Sequence, residues 1–182
     1  MNFKPILIVA GEPNSIFLEI FFKVRKMKFK SPLVLIASQK LLILQMKKLK
    51  LNKKIKIIDI KKITKYSLDN KVINLIDVKY NQKKPFEKIS KKSNNYINKS
   101  FSIAFKLIKQ GFTNKLINGP ISKKTFLNKK KLGITEYISD KFLVKNTAML
   151  IYNKRLAVCP ITTHLPLKYV PKKINKKLII EK

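Results

Sequence analysis

The sequence predicts an α/β domain with a largely parallel sheet. Three observations carry that prediction. Short apolar runs of strand length alternate with stretches of helical periodicity. The runs are apolar throughout, as strands covered on both faces are. The only four glycines, Gly11, Gly111, Gly119 and Gly133, fall at the ends of these segments. None of them forms a G-x-G-x-x-G or a Walker motif, so neither nucleotide-binding fingerprint is present.

Lys4 to Ala10 reads as a first buried strand, ended by Gly11-Glu12-Pro13. Ser15 can cap a helix that carries Ile16, Ile20, Val24 and Met27 on one face, broadened by Phe17, Phe21 and Phe22, with Glu19 favourable near its start. Pro32 to Ala37 is a second strand. Ser38 opens a second helix with Leu41, Leu42, Leu44, Gln45 and Leu49 on a wide face. Ile55 to Ile60 and Val72 to Val78 give two more strands, and the lysine-rich Asn81 to Lys92 is a surface connection. Tyr96, Ile97, Phe101, Ala104, Phe105 and Ile108 recur at helical spacing between Ser93 and Gln110, and Gly111 stops that helix. Lys115 to Asn118 is a short strand running into Gly119-Pro120, followed by a helical turn or two over Ser122 to Lys129. Thr135 to Val144 predicts a short helix. Ala148 to Tyr152 and Leu156 to Ile161, separated by Asn153-Lys154-Arg155, predict a β-hairpin. From Pro171 a lysine-rich helical pattern runs to Lys182 without a cap or breaker.

Hydrophobic residues make up 45% of the 182, enough for a core, so the chain is not of disordered composition. No apolar run reaches the length of a membrane span, and Gly11-Glu12-Pro13 is not a signal-peptide cleavage site. Cys159 is the single cysteine, which leaves no disulfide framework and points to a reducing cytoplasm; its place in an apolar run predicts burial. The formal net charge of +33 is carried by lysine, with Arg25 and Arg155 the only arginines. The lysines are spread along the whole chain, and base-edge or bidentate phosphate recognition favours arginine. Most therefore read as solvated surface, and nucleic acid is not the expected partner. The field they create would still draw in an anionic substrate.

His164 is the only histidine. It follows an apolar run, the position at which α/β sheets place ligands, and two threonines precede it. One histidine cannot make a metal site, because catalytic sites use about three protein ligands. Glu12 and Glu19 flank the first strand-to-helix turn, and Glu136 and Asp140 lie one helical turn apart. Glu136 suits stabilisation of a helix N-terminus as well as a site role. Ser122 and Lys123, after Gly119-Pro120, would suit a phosphate.

Four segments in order resemble the 4-hydroxythreonine-4-phosphate dehydrogenase family of vitamin B6 biosynthesis. Gly11 to Glu19 resembles G-[DE]-P-A-G-I-G-P-E, and Asn118 to Lys123 resembles T-[AG]-P-[IV]-x-K. Gly133 to Tyr137 is similar to G-H-T-E-[FY], and Thr162-Thr163-His164-Leu165-Pro166-Leu167 matches T-T-H-[LI]-P-L throughout. The resemblance implies an isocitrate/isopropylmalate-dehydrogenase-like α/β/α fold, of which residues 1–182 form the N-terminal portion of a single unit, the C-terminal portion being absent. It implies a homodimer with shared active sites. The implied reaction is NAD-dependent oxidation and decarboxylation of 4-phosphooxy-L-threonine, with a divalent metal (Zn, Mg or Co) as Lewis acid. It makes His164 a metal ligand and Thr135 a substrate contact; no catalytic or NAD-binding residue is assigned.

Departures are visible. Ile134 stands where the family has histidine, and Ser15 and Phe17 replace two glycines of the opening. The family's later N-P-H and Y-H-D-Q-G segments have no counterpart before Lys182, so the chain by itself is expected to lack dehydrogenase activity. The alternatives are a related dehydrogenase of another phosphorylated hydroxy-acid and, less favoured, a lysine-rich nucleic-acid-binding protein.

Overall fold

A computed structural model describes residues 3–127, 133–144 and 146–180. The chain divides into two compact units, Met1–Asn128 and Lys129–Lys182.

The first unit is built on five parallel strands: β1 (Ile6–Val9), β2 (Leu33–Ala37), β3 (Ile55–Ile57), β4 (Ile73–Asp77) and β5 (Leu116–Asn118). Their order in the sheet is β3-β4-β2-β1-β5. Side chains alternate across a strand. Ile8, Leu33, Leu35, Ile73 and Leu75 therefore share one face, packed against Leu18, Phe21 and Phe22 of α1 (Phe17–Val24) and Leu41, Leu42 and Met46 of α2 (Gln39–Lys48). On the other face α3 (Asn94–Lys109) packs on β1 and β2.

Local chemistry explains several boundaries. Ser38 caps α2, its hydroxyl accepting from Leu41 N at 3.3 Å. Gly111 ends α3 with φ +76°, while Gly111 N and Phe112 N return to the carbonyls of Ile108 and Leu107. The expected Ile55–Ile60 strand is cut to β3 because Asp59 caps a 3-10 turn over Ile60–Lys65, accepting from Lys61 N. On α1 only the Phe21–Phe22 part of the expected face is buried. Leu18, Phe21 and Phe22 are buried, whereas Ile16, Ile20, Val24 and Met27 are exposed. Both sides of this helix are apolar, so the burial was decided by the sheet and not by periodicity. Ser15 lies one residue before the helix N-cap and accepts from Phe17 N at 3.3 Å.

The second unit holds α4 (Ile134–Phe142), a hairpin of β6 (Ile151–Tyr152) and β7 (Ala157–Val158), and two short helices, α5 (Val170–Lys173) and α6 (Lys176–Ile180). The predicted hairpin forms with shorter strands, and Asn153 Oδ1 accepts from Arg155 N to fix its turn. The predicted terminal helix is split at Ile174, whose backbone is extended. Cys159 is exposed, not buried, because the hairpin leaves both of its faces uncovered within the unit. Of the expected Ser122–Lys129 turn, Ser122 to Leu127 is described, with Phe126 N bonded to Ser122 O; the remainder lies outside the described residues.

Candidate functional site

The strand order reverses beside β1. The chain steps from β1 to β2 on one side, then returns through α3 to lay β5 on the other. Ligands of open α/β sheets bind in the crevice at such a point, beyond the carboxyl ends of the strands. Here those ends carry Gly11 and Gly119. Gly119 N donates to Val9 O at 2.7 Å, and Glu12 N donates to Pro120 O at 2.8 Å. A Cβ at Gly119 would run into the Ala10 carbonyl and the Phe17 ring; one at Gly11, whose φ is +72°, would meet Pro120 O. The two turns approach this closely because both residues lack side chains.

Glu12 sits in this crevice and is only 2% exposed. Its carboxylate accepts from Ser93 Oγ at 2.9 Å and from Asn14 N at 3.3 Å. Asn14 Oδ1 in turn accepts from Gln82 Nε2 at 2.7 Å and from Glu87 N at 2.8 Å. Ser15 Oγ donates to Glu12 O at 2.8 Å. The β1 turn, the segment after β4 and the start of α3 are thus one hydrogen-bonded network. Two tyrosines adjoin it, with ring centroids 5.0 Å apart. The Tyr80 pKa is raised by burial and further by the carboxylates of Glu12 and Glu87. Burial pushes the Tyr96 hydroxyl well above the usual tyrosine range, although it accepts from Ser38 N at 3.3 Å.

The other sequence candidates fare differently. Glu19 leaves the crevice and pairs with Lys23 at 2.7 Å on the exposed side of α1. Ser122 Oγ is used to cap its own turn, accepting from Thr125 N at 3.2 Å, and Lys123 is exposed, so the pair does not form a phosphate cradle. In the second unit, Thr135 and Glu136 lie in the first turn of α4. The Thr135 carbonyl accepts from Ser139 Oγ at 2.7 Å, and Glu136 Oε2 is enclosed without a hydrogen-bond donor. His164 is exposed and holds a left-handed backbone, φ +56°. It follows β7 of the antiparallel hairpin and not a strand of the parallel sheet, a correction to its expected setting. The run before it turns back on β6 because the Asn153–Leu156 turn pairs the two. No three His, Cys, Asp or Glu residues gather at a metal-binding distance among the described residues. Sequence reasoning passed over Asn14, Gln82 and Ser93. The one available signal was Asn14 itself, a hydrogen-bonding side chain where the motif has alanine.

Solved structures with this arrangement define the class. The 4-hydroxythreonine-4-phosphate dehydrogenase of Klebsiella pneumoniae superposes with a TM-score of 0.82 at 22% identity, over 98% of this chain and 55% of that one. The enzyme of the same name from Burkholderia phymatum gives 0.84 at 21% identity, over 98% and 56%. The fold is therefore of the isocitrate-dehydrogenase-like α/β class. The sequence model of the family described as pyridoxal phosphate biosynthetic protein PdxA matches residues 28–182, and the chain belongs to that family. Among curated relatives, the 4-hydroxythreonine-4-phosphate dehydrogenase of Sulfurihydrogenibium sp. is 42% identical over 69 residues, 37% of this chain and 21% of that protein. The relative of the same name from Aquifex aeolicus is 40% identical over 50 residues, 28% and 16%. The chain spans about half the length of the solved chains it matches.

Proposed function

We propose that this chain forms part of an oxidoreductase that uses NAD to oxidise and decarboxylate 4-phosphooxy-L-threonine to 3-amino-2-oxopropyl phosphate, in the route to pyridoxine 5'-phosphate. The observation that carries this reading is the family match across residues 28–182, which includes Thr162–Leu167 with His164 at its centre. Family membership favours an enzyme over a nucleic-acid-binding protein, and the net charge of +33 then serves to attract a phosphorylated substrate. In this reading the enzyme is a cytoplasmic homodimer with shared active sites. Among the described residues no helix is long and apolar enough to cross a membrane.

The same reading makes His164 a ligand of a divalent metal (Zn, Mg or Co) and Thr135 a contact to substrate. The exposed imidazole is open to coordination, but the chain's own residues do not fit a metal site by themselves. One histidine is present, and no cluster of three ligating side chains forms among the described residues. No catalytic step is therefore assigned to a metal held by this chain. Ile134, beside Thr135, favours a second reading, a dehydrogenase of another phosphorylated hydroxy-acid, because its side chain cannot hydrogen-bond where the motif has histidine.

The test is NADH production from 4-phosphooxy-L-threonine with each divalent cation. The unaided chain is expected to give none. A chimera joining the remaining segment of the Sulfurihydrogenibium relative after Lys182 is expected to turn over, and to lose turnover with His164→Ala. A chimera that stays inactive overturns the proposed reaction, and full activity in its His164→Ala form overturns the ligand role. Turnover by the unaided chain would show that its own residues suffice.

A further inference from the structure

The network around Asn14 fastens one wall of a hollow whose lining residues have no role in the reading above. The hollow measures 460 Å³ and lies between the segment that leaves β4 and the first turns of α3. Lys79 and Lys83 line it from the first wall, Lys92 and Lys99 from the second. Asn95, Tyr96 and Lys99 lie within the first two turns of α3, and Lys92 lies in the 3-10 turn Lys91–Ser93 that leads into it. The N-terminus of this helix adds the positive end of its dipole. Glu87 is the single carboxylate on the lining, and its Oε1 accepts from Lys84 N at 3.2 Å. Among the described residues, none of the four lysines pairs with a carboxylate.

Lysines are everywhere on this chain, so four in a hollow need a second argument. The wall that carries Lys79 and Lys83 is built rather than loose. Asn14 Oδ1 holds it at Gln82 Nε2 and Glu87 N, and Gln82 Nε2 also donates to the Lys84 carbonyl. Phe86, within it, keeps a left-handed backbone at φ +59°. A bulky residue adopts that conformation only when its surroundings impose it. Gln82 lines the hollow at 4% exposure, its Nε2 spent on Asn14 and the Lys84 carbonyl. Tyr80, Asn81 and Tyr96 supply the remaining surface. A concave wall of this kind focuses the field of its charges, where the same lysines on an open face would be screened.

We infer that this hollow binds a small phosphate-bearing anion, held by Lys79, Lys83, Lys92 and Lys99. The inference stands on the first unit alone and does not depend on the reaction proposed above.

Isothermal titration of the intact chain with inorganic phosphate and with inorganic pyrophosphate, at near-physiological salt, tests it. Saturable binding at one site is expected. The double variant Lys92→Gln/Lys99→Gln should weaken it about tenfold or more. Lys53→Gln/Lys54→Gln removes the same charge from an exposed loop outside the hollow and should leave it unchanged. Asn14→Ala, which alters no charge, should also weaken binding, because it releases the wall. A preference for pyrophosphate would point to a nucleotide diphosphate, and a preference for phosphate to a phosphorylated metabolite; either supports the site. Absence of saturable binding, or equal losses in the two lysine double variants, overturns it in favour of a diffuse lysine field. Should Asn14→Ala unfold by circular dichroism, the two surface lysine variants still decide the matter.

Discussion

The Glu12 carboxylate accepts a hydrogen bond from the Ser93 hydroxyl at 2.9 Å, joining the turn after β1 to the start of α3 across 81 positions of sequence. Both residues are buried. A carboxylate taken from water needs such donors, because a buried acceptor left without its partner costs about 1–3 kcal/mol.

Removing the Ser93 donor should therefore destabilise the first unit by about 1–3 kcal/mol. In a Glu12→Gln background the same Ser93→Ala change should cost less, since an amide is more cheaply left unpaired than a carboxylate. Urea denaturation of the four proteins forms a double-mutant cycle. Strict additivity would show that the two residues do not act on each other.

Alkaline pH should weaken the fold through Tyr96 and Tyr80. Burial raises the pKa of both, with the Glu12 and Glu87 carboxylates adding to the shift at Tyr80. A folded-state pKa above the unfolded one means that the neutral hydroxyl is favoured by folding. That contribution is complete below the unfolded tyrosine value of about 10 and is lost as pH climbs beyond it. Denaturation midpoints measured from pH 8 to pH 11 should fall at the upper end, and Tyr96→Phe should flatten the fall. An identical decline in the phenylalanine variant would assign it to other groups.

Gly119 and Gly111 should respond differently to alanine. At Gly119 the new methyl meets the Ala10 carbonyl and the Phe17 ring, so backbone must move, at a cost of about 1–3 kcal/mol or more. At Gly111 nothing lies within 4 Å, and the penalty comes only from φ +76°, roughly 1–2 kcal/mol. Thermal melts should rank Gly119→Ala below Gly111→Ala. The reverse order would mean that the two turns part easily.

The second unit should exchange its amide hydrogens far faster than the sheet of the first. Strands β1, β2 and β4 carry fully buried side chains, whereas Leu143, Leu150, Tyr152, Leu156 and Leu167 of the second unit are exposed. A two-stranded hairpin without a covered face is marginal in water. Hydrogen exchange followed by mass spectrometry checks this on the intact chain. Protection of Ile151–Val158 equal to that of β2 would show that something covers the hairpin.

Much of the fold was legible in the residues. The strands reach their places as apolar runs, Ser38 and Gly111 mark helix ends by hydrogen bonding within four residues, and the α3 face follows its spacing. Even Gln45, counted on the apolar side of α2, is fully buried, donating to Pro13 O at 3.0 Å. Two readings failed, the first in part, where a local pattern was ambiguous. Helix α1 is apolar on two sides, and the sheet chose Leu18, Phe21 and Phe22. Cys159 sits in an apolar run, yet it and the hairpin strands beside it are exposed among the described residues. The site was legible only as motifs. Thr135, Glu136 and His164 were singled out by pattern as expectations, while the contacts of Asn14, Gln82 and Ser93 could not be read, because their partners lie 68 to 81 positions away.

The sequence by itself determined which segments are strands and helices, where several of them end, and to which family the residues point. These follow from periodicity, capping and turn chemistry, which act over a few residues. Tertiary structure alone decided the strand order β3-β4-β2-β1-β5, the meeting of Gly11 with Gly119, and the bonds of Asn14 to Gln82 and Glu87. Those contacts exist because a parallel sheet gathers the carboxyl ends of distant strands on one edge. The turns placed there satisfy one another's polar groups.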